Sequence, residues 1–209
     1  MSVILAQCEL SLSDPETSVS SRTAFLTIQR QGKRMSRLIN DMLDYTRLEM
    51  RPDRYPKQNV DLSALTTSLC DDMALIRQQG IQLTADIQPE INIYGNPQLL
   101  SRLVTNLISN AYRYGKENGH ILVRLHSNDT GSSECRSLSL SVEDDGIGIS
   151  KEEQKHIFQR FYQVDPSRSG AGTGLGLSMV QQIAEFHNGT VTVKSAPGDG
   201  SIFTVLMFL

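Results

Sequence analysis

Apolar residues between positions 19 and 52 recur at helical spacing: Phe25, Ile28, Met35, Ile39, Met42 and Tyr45 share one face, and Arg30, Lys33, Arg34, Arg37 and Asp44 occupy the rest. Ser2 to Leu12 carries a helical pattern as well, and Ser13-Asp14-Pro15 supplies a stop and a turn. Residues 1–52 are therefore predicted to form a helical hairpin with a short first arm. At the usual rise the second arm spans about 50 Å, too long for so short a neighbour, so its apolar face is expected to meet a second chain. Arg51-Pro52-Asp53-Arg54-Tyr55-Pro56 ends the period with two prolines, and residues 53–58 read as a linker.

Beyond it, helix and strand patterns alternate. Helices are predicted over 61–79, from Asn96-Pro97 to Tyr114, near 150–158 and over 175–187; Asn96 is a strong cap, and Asn188-Gly189 a stop. Strands are predicted over 81–87, 91–94, 120–126 and 137–144, with a closing hairpin of 190–195 and 201–208 turned by Pro197-Gly198-Asp199-Gly200. The expected fold class is α+β, a two-layer α/β sandwich over 59–209 with a mixed sheet covered by helices, preceded by the partial hairpin.

The chain has 209 residues and a net charge of −3 with its cations dispersed, which argues against nucleic acid and membrane surfaces as partners. Cys8, Cys70 and Cys135 are odd in number, far apart and in no metal-binding spacing, so they read as reduced packing residues. No apolar run approaches the roughly 18 residues of a membrane span, and the chain as given is expected to be soluble.

Three stretches carry candidate chemistry. In Leu138 to Val142 the apolar residues alternate onto one face, and continuing that parity turns Asp144 inward and Asp145 outward. An inward carboxylate needs donors, and an adenine amine is one; Gly146 and Gly148 would let backbone approach a flat ring. A turn after an edge strand reads equally well from those residues alone. Second, Gly170-Ala171-Gly172-Thr173-Gly174-Leu175-Gly176-Leu177 opens into a helix, an arrangement that seats anions on backbone N–H groups; a flexible loop is the other reading. Third, Asn106, Asn110 and Arg113 form a polar stripe at i, i+4 and i+7 on an otherwise apolar helix. The stripe suits a metal-bound triphosphate, or it faces water.

In order and spacing these stretches resemble the N, G1 and G2 boxes of the ATP-binding domain of sensor histidine kinases, of the fold family shared with gyrase, MutL and the large heat-shock chaperones. Ile157 to Asp165 is similar to the family's F box. The resemblance implies that Asp144 recognises adenine, that Asn110 holds Mg²⁺, and that Asn106, Arg113 and Tyr114 border the nucleotide. Gly146, Gly148, Gly172, Thr173, Gly174, Leu175, Gly176 and Leu177 would line base and phosphates. Residues 149–171 would be the ATP lid, with Arg160 and Arg168 as its phosphate contacts. Asn106, Arg113 and Arg160 are then the catalytic candidates. Gln163 departs from the pattern where the family often has arginine. Hydrolytic relatives carry a glutamate base where this chain has Asn106, and an amide cannot take a proton, which disfavours an ATPase.

Residues 1–10 resemble the stretch immediately after the family's phosphoacceptor motif, and 37–49 its second dimerisation helix, yet no histidine precedes His120. The expectation is a fragment of a longer sensor that binds Mg-ATP without autophosphorylating. The whole protein is expected to be a homodimer serving a response-regulator receiver domain, cytoplasmic here and membrane-anchored through segments upstream. His120, His126, His156 and His187 are expected to be surface or capping residues. A non-catalytic ATP-sensing scaffold and a serine-directed kinase of the anti-sigma type are the alternatives.

Overall fold

The computed structural model describes residues 2–14, 18–75, 80–128, 137–164 and 173–208. Helices α1 (Ser2–Ser13) and α2 (Val19–Met50) pack together as the predicted hairpin. Ser18 caps α2 by accepting from the Ser21 N–H, and the helix ends where Arg51 leaves helical geometry ahead of a 3₁₀ turn at Pro52–Arg54.

The remaining elements are β1 (Gln58–Asp61), α3 (Leu62–Ala74), β2 (Gln82–Ile87), β3 (Asn92–Gly95), α4 (Pro97–Tyr114), β4 (His120–Asn128), β5 (Ser137–Asp144), α5 (Lys151–Gln154), α6 (Gly176–Phe186), β6 (Gly189–Ser195) and β7 (Ser201–Phe208). Five strands form a mixed sheet in the order β2-β4-β5-β7-β6, with β2 and β4 parallel and every other pair antiparallel. Along β5 exposure alternates strictly, burying Leu138, Leu140, Val142 and Asp144. Ile121, Val123 and Leu125 of β4 and Phe203, Val205 and Met207 of β7 are buried too. Against these sit Leu103, Leu107, Ile108 and Ala111 of α4 and Met179, Val180, Ile183 and Ala184 of α6 in one core cluster. Each fully buried leucine or isoleucine there is worth about 1.5–3 kcal/mol of transfer free energy. The two-layer α/β sandwich is the observed fold.

Strand β1 was not visible in the pattern. It is four residues long with only Val60 buried, and it pairs with β3 in a separate two-stranded ribbon. The expected linker 53–58 is correspondingly fastened. Pro56 O accepts from Asn96 Nδ2 at 3.0 Å, and Lys57 Nζ donates to Phe186 O at 2.7 Å. The helix expected near 150–158 is only Lys151–Gln154, held by a Ser150–Glu153 capping box and followed by turns. The helix expected over 61–79 is described from Leu62 to Ala74; residues 76–79 lie outside the described residues.

Candidate functional site

Asn96 begins the construction of the site. Its side chain accepts from the Leu99 N–H at 3.1 Å, and Pro97 follows at the first helical position, so α4 starts at a fixed point. With Leu99, Leu103, Leu107 and Ala111 buried, the register turns Asn106, Asn110 and Arg113 to one side. All three line a cleft of about 260 Å³, whose opposite wall is Thr173, Gly174, Leu175, Gly176 and Leu177. Asn106 Nδ2 donates to Gly176 O at 3.3 Å across it. Asn110, Tyr114, Tyr162, Gln163 and Leu177 also line an adjoining, more apolar hollow that ends at Asp144, Ile147, Gly148, Ser201 and Phe203. The three motif stretches therefore meet in one two-lobed cleft.

Parity placed Asp144 correctly: it is 6% exposed, whereas the Asp145 side chain is 38% exposed, with Oδ2 3.9 Å from His120 and Oδ1 buried beside Gly119. Burial pushes the Asp144 carboxyl up from 3.8 to about 6. The Gly146 N–H, at 2.9 Å from Oδ1, pulls it down, Asp145 raises it again, Ser201 N–H lowers it, and Glu143 adds a small rise. Gly146 is not among the residues lining either lobe. Gly148 does line the apolar hollow, and backbone packing on its other side also requires glycine. Its φ is +67°, and a Cβ there would run into the Ala196 carbonyl.

Gly174 has φ +71°, and a Cβ would meet the backbone of Phe161, whose N–H donates to Gly174 O at 2.9 Å. That contact closes the base of the glycine-rich segment. Helix α6 then begins without a capping side chain, so the positive end of its dipole and its first N–H groups are directed at the cleft wall. Gly172 and Arg168 lie outside the described residues.

Arg160 is not where the sequence put it. Its guanidinium donates to Glu49 Oε1 at 2.8 Å and lies 4.2 Å from the Tyr45 ring centroid, on α2 and away from the cleft lining. His187 is a capping residue, one of the two expected alternatives: it is the C-cap of α6, though buried rather than at the surface. It is 2% exposed, with Nε2 accepting from the Asn96 N–H at 3.0 Å and Nδ1 donating to Ile183 O at 2.7 Å.

Sequence reasoning missed three charged lining residues: Arg37, Asp41 and Arg102. Arg102 precedes Asn106 by one helical turn, so extending the stripe backwards by four would have found it. Arg102 Nη2 bonds Asp41 Oδ1 at 2.8 Å and Nη1 bonds Asp44, while Thr173 Oγ1 donates to Asp41 Oδ2 at 3.1 Å. The end of α2 is thus docked beside the cleft, with Leu48 buried in the main core.

Comparison with known proteins agrees with this geometry. Residues 95–209 match the family model described as histidine kinase-, DNA gyrase B-, and HSP90-like ATPase, and residues 1–51 match that of the His Kinase A (phospho-acceptor) domain. The chain belongs to the histidine kinase-, DNA gyrase B- and HSP90-like ATPase family, with its ATP-binding domain following a phospho-acceptor domain of the His Kinase A type. It is similar to the sensor histidine kinase RppB of Synechocystis sp., at 38% identity over 92% of this chain and 42% of that protein. The phosphate regulon sensor protein PhoR of Pseudomonas aeruginosa is 34% identical over 87% of this chain and 40% of its own length. The chain thus spans less than half of these curated relatives. Among solved structures, full-length ShkA in complex with AMPPNP shares the fold with a TM-score of 0.79 at 24% identity, over 98% of this chain and 42% of that one. The Acinetobacter baumannii histidine kinase AdeS does so with a TM-score of 0.70 at 22% identity, over 99% and 93%.

Proposed function

We propose that the two-lobed cleft holds Mg-ATP for transfer of the γ-phosphoryl group to a histidine of the dimerisation domain, for relay to a response-regulator aspartate. The convergence of Asp144, Asn110 and the Thr173–Leu177 segment on one cleft carries the reading. Adenine sits in the apolar hollow between Ile147 and Phe203, its amine donating to Asp144, whose buried carboxyl has its pKa raised to about 6 and is favoured in its ionised form by a further donor. The triphosphate runs towards the uncapped start of α6, where backbone N–H groups and Arg113 answer its charge.

The donor set of the polar lobe fits a hard cation: the amide oxygens of Asn106 and Asn110 with hydroxyl oxygens, and no thiol or imidazole among the lining residues. Asn110 would hold Mg²⁺, which when bound neutralises phosphate charge. In the transfer the attacking imidazole nitrogen forms a bond to the γ-phosphorus while the bond to the bridging oxygen breaks, and ADP leaves with that oxygen. Catalysis by this chain is positioning and charge neutralisation, because Asn106 offers no base for water.

The homodimer is supported by an exposed apolar row on α2: Ile28, Met35, Ile39 and Met42 are each about half exposed in the single chain. Among the described residues no helix is long and apolar enough to cross a membrane, which fits a cytoplasmic portion of a larger anchored protein. The test is transfer in trans. Incubated with labelled ATP and Mg²⁺, the chain is expected to place acid-labile label on a separate dimerisation hairpin bearing the histidine, and none on itself. Tight ATP binding with no transfer would make the chain an ATP-sensing scaffold instead.

A further inference from the structure

The polar lobe of the cleft contains an anion already. Asp41 belongs to α2, yet its carboxylate lines that lobe together with Asn106, Asn110 and Arg113. Its two oxygens have separate partners, the Arg102 guanidinium at 2.8 Å and the Thr173 hydroxyl at 3.1 Å. Thr173 Oγ1 in turn accepts from the Leu175 N–H at 3.3 Å. A guanidinium from α4 and a hydroxyl from the phosphate-seat segment, bridged by one oxyanion, are the donors that a phosphate group takes.

We propose that the Asp41 carboxylate occupies the seat of the terminal phosphate, and that Arg102 is a further phosphate-binding residue which Asp41 masks. The proposal rests on the ATP reading and goes beyond it. When a triphosphate enters, two anions compete for one seat. Asp41 gives up Arg102 Nη2 to a terminal phosphate oxygen, and Asp44 retains the other nitrogen, Nη1. The guanidinium is then held at one end and offered at the other, which positions it without a new rotamer search. Arg102 supplies the charge that Gln163 cannot and that Arg160, committed to Glu49 and Tyr45, does not bring to the cleft. A diphosphate lacks the competing group. The docked position of α2 therefore discriminates ATP from ADP, and ATP entry loosens α2.

The experiment measures the affinity of ATP and of ADP, each with Mg²⁺, by calorimetry on the whole chain and on the variants D41N, R102Q and D41N/R102Q, with circular dichroism as the check of folding. D41N is expected to tighten ATP about fivefold and ADP less than about twofold, since it removes a competing charge but leaves the cleft intact. R102Q is expected to weaken ATP about tenfold and ADP less than about threefold, in the range of a charge-assisted hydrogen bond. The gain from D41N is expected to vanish in the double variant. ATP affinity unchanged or weakened in D41N, as when Asp41 ligates the metal, overturns the proposal, and so does an equal loss of both nucleotides in R102Q. A wild-type chain that binds neither nucleotide removes the ATP reading and the proposal together, whereas normal ATP binding with indifferent variants removes the proposal alone.

Discussion

His187 Nε2 accepts the backbone N–H of Asn96 at 3.0 Å, tying the last turn of α6 to the residue that caps α4. The two helices whose ends and faces make the polar lobe are thereby fixed to one another far from the lobe itself. Burial holds the His187 pKa below 6.5; the Ile183 carbonyl opposes this and the Lys57 charge adds to it. Because the folded value lies below the unfolded one, the stability this neutral ring contributes is present above pH 6.5 and lost as pH falls through the folded value. His187→Ala is expected to cost about 3 kcal/mol, from a buried N–H left unpaired and a cavity, and to remove that part of the acid slope. Urea unfolding of wild type and variant between pH 7.5 and 5 checks both.

Asp144 has the opposite sign. Its folded pKa is raised, so its contribution to the unliganded fold is present below 3.8 and lost as pH rises through about 6. A bound adenine amine favours the ionised form, so ATP binding near pH 6 is expected to release protons, and affinity to fall up to about tenfold per pH unit well below that value. Calorimetry in buffers of different ionisation enthalpy measures the release. Asp144→Asn, which cannot titrate, removes this share and leaves the triphosphate's own titration as the baseline.

Arg160 pairs with Glu49 at the exposed surface of α2 and does not line the cleft. Arg160→Ala is accordingly expected to change stability by less than about 1 kcal/mol and ATP affinity less than about twofold. A tenfold loss of ATP affinity would return this residue to the phosphate site.

For Asn110, which lines both lobes, Asn110→Ala is expected to weaken Mg-ATP more than metal-free ADP. Equal losses in parallel titrations with and without Mg²⁺ would deprive it of a metal role.

Much of this site was legible because the relevant residues obey a local period. Alternation in 138–144 distinguished Asp144 from Asp145, and the spacing of Asn106, Asn110 and Arg113 put them on one helix face. The strand β1 escaped because four residues with one buried side chain carry no period. Asp41 and Arg102 escaped for another reason. They are 61 residues apart, on helices whose mutual placement no local pattern encodes, and the pairing of Glu49 with Arg160, in the turns after α5, is likewise a contact distant in sequence. That His187 caps its helix was within the expectation; its burial against Asn96, 91 residues away, was not, because no local pattern encodes that contact.

A competition between ATP and GTP on wild type and Asp144→Ala shows whether the carboxylate at the end of β5 reads the purine. Wild type is expected to prefer ATP, and the variant to lose about 1.5–3 kcal/mol of ATP affinity and with it the preference. An unaltered preference for ATP in Asp144→Ala would remove Asp144 from purine recognition.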